Sequence, residues 1–367
     1  MATTPQPFDF QAHRRRAVEQ YQTVRRRYAE YSQSIKDIIK KALTKSEIKV
    51  ASVEARAKSI RSYGRKASEP SDTDPSQPKY PSPMSQITDL AGVRIITFFP
   101  NTVSEVDRVI GDEFVVLERI DKAAQLLEEE RFGYQSVHYL VKLKPNRTSL
   151  PEYGNFADLV AEVQVRTILQ HAWAEIEHDI QYKSVKIIPA QIRRRFASLA
   201  GLLEIADREF QAIQGADERL REEVRASVEE GKLENVEVTP DALKAYLDRK
   251  LGADGRMTEF SYEWTARYLH EMGFKNLLQI EECVAGYGDD ELSRIVYPVR
   301  QGQLTRFETL LLAGMGEYFV SKHPFSKIPG LRLHHRVLLD RLKIGGVEIK
   351  DYRPREDNKE DTINQNA

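Results

Sequence analysis

Four stretches of the chain carry residue types suited to handling phosphate. In "RAKSIRSYGRK", the cations Arg56, Lys58, Arg61, Arg65 and Lys66 alternate with the small hydroxyls Ser59 and Ser62. Guanidinium groups clamp phosphate oxygens in pairs and an ammonium acts as a point charge, so the set suits a polyphosphate. A solvated basic helix face has the same composition. In "DLAGVRI", Asp89 stands just before an apolar, β-branched run that contains Gly92 and Arg94. A carboxylate there is either a turn residue or a hard oxygen donor for magnesium, and Gly92 admits close approach of backbone or ligand. In "AEVQVRT", Glu162 and Gln164 alternate with valines and so share one strand face, with Arg166 closing the strand on the same side. Asp89 and Glu162 together supply two carboxylates to one magnesium, the usual pattern where phosphates complete the shell. In "GYQSVHY", Tyr134 beside Gly133 is either a turn aromatic or a platform for a base, and His138 is either structural or a phosphate partner. The dipeptide His178–Asp179 is not read as a metal-hydrolase centre, because that chemistry needs further ligands from other helices.

These residues need elements to position them. Residues 8–50 read as one helix, with Tyr21, Val24, Tyr28, Tyr31, Ile35, Ile38 and Ile39 recurring every three or four residues. Residues 69–83, rich in Pro, Ser and Asp, read as a loop. "GVRIITFF" reads as a central strand, residues 102–111 as a short helix, and "FVVLERI", "SVHYLVKL" and "DLVAEVQVRT" as three more strands. "TILQHAWAEIEHDIQYK" reads as a helix with Trp173 and Ile176 turned inward. A long helix follows, with Ile192, Phe196, Leu199, Leu203, Ala206, Phe210 and Ile213 in a heptad-like apolar stripe. The order implies an α+β fold, a mixed sheet flanked by helices. Beyond residue 232 the texture changes to short helices at Phe260–Met272, Leu277–Val284, Glu291–Tyr297 and Leu304–Val320, with Thr239 and Pro240 starting the first helix of this region. The expected organisation is a domain over 1–215, a helical connector over 216–237, a helical C-terminal domain over 238–350 and a disordered tail over 351–367.

Composition narrows the class. A chain of 367 residues has room for two domains, or one with an extension. It has no apolar run long enough for a transmembrane helix and no signal-peptide core at its start. The single Cys283 excludes a disulfide framework and a cysteine-rich zinc site. The expectation is a cytoplasmic protein. Net charge is −1, yet residues 1–66 hold 16 Lys/Arg against 6 Asp/Glu, hence 16 − 6 = +10, which favours phosphate-bearing partners.

Taken together, "ARAKSIRSYGRK", "DLAGVRII", "GYQSVHY", "EVQVRT" and "HAWAEIEHDIQYK" resemble, in order, the motifs of the RelA/SpoT nucleotide pyrophosphokinases, the alarmone synthetases. The resemblance covers residues 15–215 and implies a nucleotidyltransferase-like fold that moves pyrophosphate from ATP to the ribose 3′-hydroxyl of GDP or GTP, giving (p)ppGpp. By that match Asp89 and Glu162 hold Mg2+, and Glu162 also serves as base for the acceptor hydroxyl. Arg56, Lys58, Ser62, Lys66, Arg94 and Arg166 serve ATP and the transferring group. Tyr134 stacks on the guanine, and His138, Gln164 and Arg131 complete the acceptor pocket. Such chemistry is mostly positioning and charge neutralisation. The chain departs from the family where Lys-Pro-Asn often precedes Gly-Tyr, since Glu130, Arg131 and Phe132 stand there. This leaves open a toxin-like relative that modifies the 3′ end of tRNA, and, from another class, a catalytically silent binding module. About 50 residues precede Arg56, too few for the hydrolase domain of the long family members, so hydrolysis is not expected. The C-terminal region is expected to regulate the first domain within the chain or to mediate homo-oligomer assembly.

Overall fold

A computed structural model describes residues 8–122, 136–183 and 189–354, which divide into two compact units at residues 214/215. Tyr134, Arg131 and their neighbours Glu130 and Phe132 lie outside the described residues, as does the tail from residue 355.

The first unit is built on a five-stranded mixed sheet in the order β1-β2-β5-β4-β3. Its strands are β1 (Val50–Ala57), β2 (Ala91–Thr97), β3 (Phe114–Asp121), β4 (Val137–Leu143) and β5 (Ala161–Thr167). β2 and β5 run parallel, and every other neighbouring pair is antiparallel. The helices α1 (Phe10–Lys45), α2 (Ile60–Ala67), the single turn α3 (Pro83–Gln86) and α4 (Pro100–Glu113) precede or interleave the strands. One sheet face is apolar. Val93, Ile95, Val163, Val165, Tyr139 and Val141 point there and bury against Tyr31, Ile35 and Ile39 of α1 and Val106 and Ile110 of α4. Alternation then forces Gly92, Arg94, Glu162, Gln164 and His138 onto the opposite face.

The expected α+β fold with a mixed sheet stands, with corrections to its parts. The expected helix over 8–50 ends at Lys45, Glu47 takes a φ of 56°, and the chain then forms β1, a strand absent from the sequence reading. Alternating Ala, Val, Glu and Arg in "VASVEARA" is compatible with either state, and pairing to β2 decides it. The heptad-like stripe is covered only in part: Ile192, Leu199, Phe210 and Ile213 are 39%, 50%, 53% and 63% exposed, while Phe196, Leu203 and Ala206 are half-buried. The long helix Ala190–Glu230 packs through Phe196, Ala200, Leu203, Asp207 and Gln211. Two polar members of that row form the contacts: Asp207 accepts from Thr167 Oγ1 at 2.7 Å, and Gln211 accepts from the Asn101 N–H at 2.8 Å. In the helix Ile168–Lys183, Trp173 is buried edge-on against Phe196, whereas Ile176 faces outward.

The second unit packs its helices, among them Pro240–Leu251, Glu259–Glu271, Leu277–Val284, Gln303–Met315 and Pro329–Ile344, around one apolar core. Thr239 caps the first of them by accepting from the Ala242 N–H at 3.2 Å. The run read as one helix over Leu304–Val320 breaks at Gly316, whose φ of +55° and tight approach to Ile349 suit only glycine. Among the described residues no helix is long and apolar enough to cross a membrane.

Candidate active site

The polar face of β2 and β5 carries the site. Register places Arg56 opposite Gly92 and Gly92 opposite Glu162, so the missing side chain at Gly92 opens a gap between a guanidinium and a carboxylate. The next row aligns Glu54, Arg94, Gln164 and His138 across β1, β2, β5 and β4. A cavity between these rows is lined by Arg56, Lys58, Asp89, Arg94, Glu162 and Gln164, among others.

Asp89 is gripped by two ammonium groups: Lys58 Nζ donates to Oδ2, and Lys66 Nζ to Oδ1 at 3.1 Å. Both lysines are placed by structure behind them. The Lys58 N–H donates to Leu90 O at 2.9 Å, and its carbonyl accepts from Tyr21 Oη at 2.8 Å and Arg25 Nε at 3.2 Å. Tyr21 is stacked on Tyr63 of α2 within a small core that also takes in Ala17, Ala67, Ile87 and Leu90. That core locks α2 against α1 and so aims Lys66. Burial alone would raise the Asp89 carboxyl, but Lys58 and then Lys66 outweigh it and hold its pKa below the usual value. Burial lowers and Asp89 raises Lys66, with a net rise.

Glu162 has both oxygens occupied from its own sheet. His138 Nδ1 lies 2.8 Å from Oε1, and Gln164 Nε2 donates to Oε2 at 3.1 Å. Gln164 Oε1 accepts from Arg166 Nη2 at 2.9 Å, which fixes the amide's orientation, and His138 Nε2 lies 2.7 Å from Ser136 Oγ. Burial pushes the Glu162 carboxyl up, but His138 and Gln164 together pull it below its ordinary value despite nearby Asp89. Two ionised carboxylates thus line one cavity among cations.

Arg94 donates to Glu175 Oε1 at 2.9 Å and lies 4.0 Å from Glu54. Arg56, Arg94 and Arg166 share a second cleft with Glu175, Glu177 and His178. Of the residues singled out from the sequence, Arg56, Lys58, Lys66, Asp89, Arg94, Glu162, Gln164, Arg166 and His138 therefore form one connected constellation. Ser62 stands apart. It bonds Ser59, the α2 N-cap, and faces a separate cleft with Arg14, Arg61 and Arg65. Sequence reasoning missed Ser136, Tyr21, Arg25, Glu54 and Glu175. Ser136 and Glu175 lay inside the motifs "GYQSVHY" and "HAWAEIEHDIQYK", Glu54 stood next to "ARAKSIRSYGRK", and Tyr21 was visible only as a member of the first helix's apolar stripe.

Asp89 and Glu162 are the residues that could hold a divalent ion. Among the described residues no group of three or more His, Cys, Asp or Glu side chains is arranged to hold a metal by itself. Two hard oxygen donors suit an ion whose remaining ligands come from phosphate and water, and poorly suit a structural metal cage.

Residues 55–187 match the model of the region found in RelA/SpoT proteins. The matched stretch contains both Asp89 and Glu162. Two curated relatives, the GTP pyrophosphokinases YwaC and YjbM of Bacillus subtilis (strain 168), are each 31% identical over 129 residues, or 35% of this chain. Those matches span 58% and 57% of the relatives' own length, so the chain covers less than two thirds of either. Among solved structures, small alarmone synthetase 1 of Bacillus subtilis aligns with a TM-score of 0.45 at 22% identity, over 55% of this chain and 99% of that one. A GTP pyrophosphokinase family protein of Streptococcus pneumoniae aligns with a TM-score of 0.44 at 22% identity, over 55% of this chain and 96% of that one.

Proposed function

We propose that the chain transfers pyrophosphate from ATP to the ribose 3′-hydroxyl of GDP or GTP, as the names of its curated relatives suggest for those proteins. The observation that carries this reading is the pair Asp89 and Glu162. Both are held ionised at one cavity, opposite Arg56, Lys58 and Arg94. In the proposed reaction the acceptor oxygen bonds to the β-phosphorus of ATP, the bond from that phosphorus to the α,β-bridging oxygen breaks, and AMP leaves with the electron pair. The hydroxyl proton passes to Glu162 and on to water. Arg56, Lys58, Lys66 and Arg94 neutralise the triphosphate, and Arg166 acts through Gln164 to keep Glu162 oriented. A magnesium ion bound by Asp89 and Glu162 would supply charge neutralisation at the phosphates. Tyr134 is assigned to the acceptor by its place in the family motif, and Arg131 as the cation beside Glu130, which stands where the family often has Lys.

Incubation with ATP labelled in its γ-phosphate, plus GDP, GTP or bulk tRNA, tests the reading. Label is expected in a guanine nucleotide and absent in Glu162→Gln. Label on tRNA alone would replace the acceptor while keeping the chemistry. Wild-type transfer by Glu162→Gln would remove the assignment.

A further inference from the structure

α2 presents two different cationic flanks. From one, Lys66 reaches Asp89. On another, Arg61 and Arg65 stand one turn apart and, with Ser62 and Arg14 of α1, line a cleft of about 320 Å³ separate from the carboxylate cavity. Arg14 is positioned by the closest approach of the two helices. A Cβ added at Gly64 would lie 2.8 Å from Val18 Cγ2 and 3.1 Å from Arg14 Nε, so glycine lets the Arg14 stem lie flat across α2. The lining therefore holds three guanidinium groups and a hydroxyl, with no carboxylate among the described residues that form it.

Guanidinium forks match phosphate oxygens two at a time, and three of them converge here beside the Ser62 hydroxyl. Arg61 and Arg65 also have other polar contacts in the fold, which a ligand would join or exchange with. We infer that the Arg14–Arg61–Arg65 cleft is a second phosphate-binding site, distinct from the Asp89–Glu162 cavity. It takes a phosphate group from a free polyphosphate or from a nucleic-acid backbone. The inference does not depend on the transfer reaction. A phosphate bound there would also steady α2, the helix that delivers Lys66 to Asp89.

The test uses the full chain without metal. Sodium pyrophosphate is titrated calorimetrically, and a short fluorescent single-stranded RNA is titrated by anisotropy. Wild type is compared with Arg61→Ala/Arg65→Ala, with Arg61→Lys/Arg65→Lys and with Lys66→Ala, each checked for native circular dichroism. Arg61 and Arg65 are exposed, so both double variants are expected to fold. The expected result is a loss of about tenfold or more in affinity for at least one probe in the alanine variant. The lysine variant should lose less, and Lys66→Ala should retain that binding. Loss confined to pyrophosphate assigns a free polyphosphate, and loss confined to RNA assigns a nucleic-acid strand. The inference is overturned if both probes bind the alanine variant as they bind wild type, or if Lys66→Ala removes the same binding event.

Discussion

His138 Nδ1 and Glu162 Oε1 lie 2.8 Å apart across β4 and β5, and this contact decides which proton positions the site can adopt. An ionised Glu162 can only accept, so Nδ1 carries the hydrogen, and in the neutral ring Nε2 then accepts from the Ser136 hydroxyl. The imidazole is fixed from both ends, and Glu162 keeps its remaining lone pairs for the cavity.

His138→Ala removes the largest single contribution that lowers the Glu162 carboxyl, leaving burial to raise it. The acid limb of the rate–pH profile is expected to move to higher pH, and transfer at neutral pH to fall about tenfold to a hundredfold, as for other residues that orient a metal-binding group. His138→Asn, whose amide can donate from the Nδ1 position, should recover part of the loss. An acid limb that does not move in the alanine variant would show that His138 does not hold Glu162 ionised.

Asp89, in the turn before β2, is tied to the end of β1 through Lys58 and to α2 through Lys66. Its folded-state carboxyl is depressed, so the stability it contributes is present above the ordinary carboxylate range and lost as pH falls through the folded value. Asp89→Asn is expected to cost about 1.5–3 kcal/mol at neutral pH and to flatten the acid dependence of the first unit. The two tryptophans, Trp173 and Trp264, fall one in each unit. Urea unfolding followed through Trp173 in a Trp264→Phe background therefore reads this unit alone. An unchanged midpoint would mean that the two ammonium groups find equal partners in water.

Much of the site was legible because strands have a period of two. Glu162 and Gln164 had to share a face once "EVQVRT" read as a strand, and the pairing of β2 with β5 adds Arg94 to that face. The cross-strand register was not legible, and with it went the grip of His138 and Ser136 on Glu162, because nothing in "SVHYLVKL" names its partner strand. β1 was hidden for the same reason, since its alternate positions are polar and its Ala, Glu and Arg also favour helix. The long helix misled differently. Its apolar stripe was visible, but hydrogen bonds accepted by Asp207 and Gln211 turn the helix so that only part of the stripe, Phe196, Leu203 and Ala206, is covered.

Thr167 is fully buried where its hydroxyl meets Asp207 at 2.7 Å, tying the end of β5 to the helix Ala190–Glu230. Burial raises the Asp207 carboxyl, and the Thr167 hydrogen bond opposes this. Thr167→Val leaves that carboxylate without its donor and is expected to cost about 1–3 kcal/mol, read as a lower urea midpoint through Trp173. The contribution of a raised carboxyl is full below the unfolded value and lost as pH rises through the folded one. Asp207→Asn should therefore gain stability relative to wild type as pH is raised toward 8. A constant difference between the two across that range would contradict the role given to burial.

In the second unit, Glu308 and His323 respond to pH in opposite senses. Burial pushes the Glu308 carboxyl up to about 7, with Tyr268 Oη 3.4 Å away. Burial, reinforced by neighbouring His335, pushes His323 down to about 4, and His335 is itself lowered. The folded state keeps a proton on Glu308 that the unfolded chain releases near the ordinary value, so this term weakens the fold as pH rises toward 7. Folded His323 stays neutral where the unfolded chain is protonated, so its stability is present above about 6.5 and lost as pH falls toward 4. Between those limits the two slopes oppose, and the second unit should show a flat stability maximum in weakly acidic solution. Glu308→Gln removes only the falling arm. Its melting temperature, followed through Trp264 in a Trp173→Phe background, is expected to exceed that of wild type by a few degrees at pH 8 and to match it near pH 4. A gain confined to acid pH would place the buried proton on some group other than Glu308.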